Sequence, residues 1–161
     1  MNRLAIVLCL AIGCASTQGM GGPNMSGREE APAASDIQSN DILDRDAATG
    51  RSRVQHILIS WQELAPAFGG NLDPRARQRT REQADQLAAQ LLGRTRAGED
   101  MTQLMSQFSE DPGSAATGES YEVTPDASLV FEFKRLGLRL KVGESGLVMS
   151  KYGWHVMKRV E

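Results

Sequence analysis

Histidine is almost missing from this chain, and cysteine is missing from most of it. Among 161 residues only His56 and His155 are histidine, and only Cys9 and Cys14 are cysteine. With no cysteine after Cys14, the body of the chain has no disulfide framework, no cysteine nucleophile and no cysteine-ligated zinc. Two histidines alone make at most a partial metal site. Aromatic residues are scarce at 5%, so a core must rest on Leu, Val, Ile, Met and Ala. The formal net charge of -2 argues against a nucleic-acid partner, which would need a clustered basic surface. A Gly-x-Ser-x-Gly nucleophile elbow is also absent, which removes the usual signature of a serine hydrolase. The longest apolar run, Leu4 to Ile12, has nine residues, well short of the roughly 20 that cross a bilayer.

That short run has another reading. Arg3 precedes it, and Gly13, Cys14, Ala15 and Ser16 follow, the layout of an export signal. Ala11-Ile12-Gly13-Cys14 resembles a bacterial lipobox, in which the cysteine is lipidated and becomes the first mature residue. Residues 1–14 are therefore expected to be a signal peptide with lipidation at Cys14. An ordinary cleaved secretory signal is the alternative. Ala15, not aspartate, follows the cysteine, and resemblance to known lipoproteins then implies an outer-membrane anchor facing the periplasm. Residues 15–50 are rich in Gly, Ala, Ser, Asn, Pro and Asp, with acidic excess toward the end, a composition that buries little surface. They read as a flexible acidic linker reaching on the order of 30–35 Å. Ile37, Ile42 and Leu43 have the spacing for one helical turn within it.

The folded domain is expected to be 51–161. Val54 to Ile59 alternates as a strand buried on both faces. A loop with Pro66 and Gly69-Gly70 follows. Asp73-Pro74 predicts a helix start, with Ala84, Leu87, Ala88, Leu91 and Leu92 at helical spacing. Asp100 opens a second helix carrying Met101, Leu104, Met105 and Phe108. Glu119 to Val123 predicts a short strand, Ser128 to Leu140 a third helix, and Val148 and Gly153 to Val160 the last strands. The order is β, α, α, β, α, β, β, an α+β fold. The alternation of Arg75, Arg77, Arg79 and Arg81 predicts a solvated helix surface. One histidine in each of two distant strands suggests that the rings lie side by side in one sheet.

Five segments then carry a resemblance. They are Val54-Gln55-His56-Ile57-Leu58-Ile59; Phe108-Ser109-Glu110-Asp111 with Ser114; Leu129-Val130-Phe131-Glu132-Phe133; Leu140-Lys141-Val142-Gly143-Glu144-Ser145-Gly146; and Ser150-Lys151-Tyr152-Gly153-Trp154-His155-Val156. In order and spacing they resemble the parvulin-type peptidyl-prolyl cis-trans isomerases. The resemblance implies a four-stranded antiparallel sheet surrounded by helices, with the two histidine strands adjacent. It implies that His56, Asp111, Ser150 and His155 form the catalytic group, and that Leu129 and Phe133 cup the substrate proline. It implies no cofactor and no metal, and its partners are unfolded or extended proline-containing polypeptides. The chain departs from the family at Gly118-Glu119-Ser120-Tyr121, where Ser120 falls at the place of a pocket-wall leucine and predicts a smaller, more polar wall. It also has Ser60-Trp61-Gln62-Glu63 where phosphate-reading members carry basic residues. The implied function is an isomerase assisting the folding of exported or outer-membrane proteins in the cell envelope. The alternative is a peptide-binding holdase with little turnover, which the altered turn would favour.

Overall fold

The computed structural model describes residues 37–161. The expected signal peptide, Cys14 and the first part of the linker lie outside the described residues.

Strand β1 (Ser52–Ile59) occupies the middle of the molecule because it is apolar on both faces. Its neighbours are β2 (Tyr121–Val123) on one side and β4 (Gly153–Arg159) on the other, with β3 (Ser145–Ser150) beyond β4. The order β2-β1-β4-β3 is antiparallel at every step. Ile57 and Ile59 point to one face, where helices α2 (Arg81–Arg96) and α3 (Met101–Phe108) bury Ala84, Ala88, Leu91, Leu104 and Met105 against them. Val54 points to the other, packing with Val123, Met157 and, from α4 (Phe131–Gly137), Phe133 and Leu136. Burying each such aliphatic side chain contributes about 1.5–3 kcal/mol. The expected α+β fold, a four-stranded antiparallel sheet surrounded by helices, is the one found.

Local chemistry sets the helix boundaries. Asp73 does accept the Arg75 backbone N–H at 2.8 Å, but only a three-residue 3₁₀ turn, Ala76–Gln78, follows. Arg79 is extended, and its carbonyl accepts from Gln62 N–H at 3.0 Å. The long helix starts later, at a reciprocal capping box in which Thr80 and Gln83 satisfy each other's backbone N–H groups. The expected third helix shrinks to α4. Val130 remains extended ahead of it, so Leu129 projects from a loop.

The domain also begins earlier than Arg51. Asn40–Leu43 forms α1, and Ile42 and Leu43 are buried, 1% and 4% exposed, in the cluster around Phe133. Ser39 N–H donates to the Leu147 carbonyl and Ser39 Oγ accepts from Leu147 N–H, both at 2.9 Å. The one-turn helix suggested by Ile37, Ile42 and Leu43 thus belongs to the core, and residues 37–50 are not free linker. Composition hid this because only a few apolar residues do the packing.

Candidate active site

The register places the two histidines on one face. His56 lies opposite Met157 and Leu58 opposite His155, so the rings are diagonal neighbours. They stack with centroids 5.5 Å apart, and both side chains are buried. A two-residue hairpin, Lys151-Tyr152, returns the chain from β3 to β4 and brings Ser150 back beside His155. Gly153 makes this possible, with φ at 123° and no Cβ to strike the Ile59 carbonyl.

Four of the expected site residues form one hydrogen-bonded chain. Ser150 Oγ lies 2.7 Å from His155 Nε2, the two Nδ1 atoms lie 3.4 Å apart, and His56 Nε2 lies 3.0 Å from Asp111 Oδ2. With both rings neutral, one assignment satisfies every contact. Tyr152 N–H donates to Ser150 Oγ, whose hydroxyl donates to His155 Nε2. His155 Nδ1–H then donates to His56 Nδ1, and His56 Nε2–H donates to the Asp111 carboxylate.

Asp111 is the end of that chain and receives more than one donor. Ser114 and Tyr121 hydroxyls each reach Oδ2 at 2.7 Å, and Gly113 N–H reaches Oδ1 at 3.2 Å. The His56 contact foremost, then the two hydroxyls, hold this carboxyl well below the usual carboxylate range despite partial burial. Burial, with the neighbouring His56, lowers His155 to about 3. Burial, with the bond to Asp111, raises Tyr121 to about 12. The site therefore presents an ionised Asp111 carboxylate with a neutral Tyr121 hydroxyl against it and a neutral His155 behind.

Above this row lies an open pocket of about 340 Å³. Leu129 and Phe133 line it as expected, joined by Leu58, Phe68, Pro112, Tyr121, Val130 and Tyr152. Phe133 stands edge-on to both histidines, at 5.0 and 5.4 Å between centroids. Ser150 is not a wall of the pocket; it sits behind His155 and braces it. Among the described residues no three metal-ligating side chains converge.

Sequence reasoning missed two features. Ser120 turns away from the pocket and accepts a hydrogen bond from Arg53 Nε at 3.1 Å, while Tyr121 supplies the wall. The strand parity of Tyr121, opposite Val54 and on the face of His56, was the available signal. The arginines after Asp73 also do more than coat a surface. Arg75 and Arg79 reach the loop that carries Asp111, a tertiary contact that no local pattern encodes.

Residues 41–161 match the family of the PPIC-type PPIASE domain. The chain belongs to that family. Among curated relatives, Chaperone SurA of Pseudomonas fluorescens is 35% identical over 106 residues, covering 65% of this chain and 22% of that protein. Foldase protein PrsA of Geobacillus kaustophilus is 28% identical over 120 residues, covering 73% and 42%. The match to the SurA relatives thus spans about a fifth of their length. Peptidyl-prolyl isomerase ESS1 from Candida albicans superposes with a TM-score of 0.59 at 21% identity, over 70% of this chain and 63% of that one, a likeness of fold.

Proposed function

We propose that this PPIC-type domain is a peptidyl-prolyl cis-trans isomerase that assists the folding of exported polypeptides. The observation that carries this reading is an apolar, aromatic-walled pocket floored by His155, His56 and Asp111, with Ser150 bracing His155 from behind. An X-Pro bond rotates over a barrier of about 18–20 kcal/mol, because resonance keeps the amide planar. Resonance also concentrates negative charge on the carbonyl oxygen. A fixed carboxylate beside that oxygen destabilises the planar amide more than the twisted one, in which the oxygen is less charged. Leu129, Phe133 and Tyr121 grip the ring while the carbonyl swings. A thousandfold gain needs about 4 kcal/mol of preference for the twisted form. No bond breaks, so no step requires proton transfer, and the histidines position Asp111.

The holdase alternative drew its support from a polar wall at Ser120. Tyr121 in that position removes the support. The substrates in this reading are unfolded or extended chains with proline beside apolar residues. Lipidation at Cys14 and residence at the outer membrane, facing the periplasm, are part of the same reading; the first rests on the lipobox-like Ala11-Ile12-Gly13-Cys14 and the second on Ala15 after it. Mass spectrometry of the mature chain, against Cys14→Ser, tests the anchor.

Cis-to-trans relaxation of short X-Pro peptides tests the activity. Phe133→Ala is expected to raise KM about tenfold by opening the cup. Asp111→Ala is expected to lower kcat by a similar factor or more. A folded wild-type protein that fails to accelerate relaxation would rule out the isomerase.

A further inference from the structure

The loop carrying Asp111 is held from outside the pocket by a buried ion pair. Glu110 side chain is 2% exposed and Arg79 13%, with Arg79 Nη1 2.5 Å from Glu110 Oε1. Glu110 Oε2 accepts from Ser60 N–H at 2.6 Å, and Arg79 Nη1 also donates to the Ser60 carbonyl at 2.7 Å. The pair therefore clasps the residue that follows β1. The backbone beside it is tied to the end of β1: Glu110 N–H donates to the Leu58 carbonyl at 2.9 Å, and Leu58 N–H donates to Ser109 Oγ at 3.2 Å. Arg75 adds a second tie, donating to the Ser109 carbonyl at 2.8 Å and the Gln107 carbonyl at 3.1 Å.

We propose that Arg79, acting through Glu110, is a positioning residue for Asp111 that fixes its carboxylate against His56. Asp111 follows Glu110 directly, so slack at Glu110 moves the carboxylate relative to His56 and Tyr121, its donors on the sheet. Nothing else among the described contacts ties Glu110 side chain down except Arg79 and Ser60 N–H. Burial already pushes Glu110 up, and Asp73 nearby adds to this, while Ser60 N–H and Arg79 oppose it. Removing Arg79 would leave a buried carboxylate without a counter-charge, and the loop would move to hydrate it. The cup of Leu129 and Phe133 lies on α4 and the loop before it, away from the clasp, and would remain in place. A fault in the clasp should therefore reach turnover and spare binding.

This inference rests on the isomerase reading for its kinetic part, and a spectroscopic readout keeps the two separable. In the full chain, Arg79→Met, Glu110→Gln and the double variant are compared with wild type. Peptide isomerisation gives kcat and KM, and imidazole 15N shifts report the His56–Asp111 hydrogen bond. Arg79→Met is expected to lower kcat at least tenfold, leave KM within twofold and shift the His56 Nε2 resonance. Adding Glu110→Gln removes the stranded charge and should restore kcat to within about threefold of wild type, with the His56 signal moving back. Unchanged His56 shifts in folded Arg79→Met would overturn the proposal, whether or not the wild type turns over. A double variant no better than the single would also overturn it. If Arg79→Met does not fold, Arg79→Gln decides, since it strands the same carboxylate with a polar side chain: a displaced His56 resonance supports the clasp, and an unmoved one sinks it.

Discussion

Asp111 shows how many separate residues fix one charge. Its carboxylate takes hydrogen bonds from an imidazole, two hydroxyls and a backbone amide, so losing one donor weakens it without freeing it. Tyr121→Phe keeps the aromatic wall and deletes one donor; we expect a stability loss of about 1–2 kcal/mol and a rise in the pH at which Asp111 protonates, read by carboxyl 13C shifts. His155 gives a second test. Unfolded, it takes a proton near pH 6.5; folded, only near 3. Between those values the unfolded chain binds more protons, so stability falls as pH falls, by at most about 1.4 kcal/mol per pH unit. Asp111, held low, adds its own loss only below about pH 3.9. Glu110, raised by burial, tilts the balance the opposite way above about pH 4.3. The discriminating quantity is therefore the difference between wild type and His155→Asn in urea unfolding from pH 7.5 to 4. The variant should lose less stability per pH unit, and parallel curves would refute the assignment of a buried neutral His155.

Among the elements, the β3–β4 hairpin does most to build the site, since it delivers both Ser150 and His155. Its tightness depends on Gly153, where any Cβ meets backbone of Ile59 and Ser60 at a φ of 123°. Gly153→Ala should cost about 2–3 kcal/mol and loosen the Ser150–His155 contact, measurable as a fall in Tm and a loss of His155 proton-exchange protection. Strands were the most legible part of the sequence. Two-residue alternation around His56 and His155 marks the face each side chain takes, and their pairing follows once both strands are central. The five ordered segments singled out His56, Asp111, Ser150 and His155 as candidates, and the structure brings these four side chains into one hydrogen-bonded chain. Helix starts were less readable. Asp73-Pro74 carries an N-cap and an N1 proline, yet the Arg79 backbone is drawn out to meet Gln62, and the helix waits for Thr80. Tertiary hydrogen bonds overrode a sound local pattern there. The same holds for Ser120 and Tyr121, where one residue of register decides which side chain walls the pocket.

At the scale of the whole molecule, the question is where the folding unit begins. Family matching starts at residue 41, and the packing agrees with it. Residues 37–50 close the outer edge of β3 through Ser39 and lay Ile42 and Leu43 against α4. Further ties run from Arg135 Nη2 to the Leu43 carbonyl at 3.0 Å, from Arg139 Nε to the Arg45 carbonyl at 2.6 Å, and from Arg45 to Glu144 at 2.8 Å. An uncovered β3 would offer its backbone to any extended chain. Removing two buried aliphatic side chains costs about 2–5 kcal/mol each, a large share of the 5–15 kcal/mol that holds a typical domain together. A fragment beginning at Arg51 is therefore expected to be unfolded or aggregated at 37 °C, whereas one beginning at Ile37 should melt cooperatively, near the full chain. Ile42→Ala in the full chain should lower unfolding free energy by about 3 kcal/mol through the same contacts. Equal melting temperatures for the two fragments would mean that 37–50 rides on the domain without supporting it.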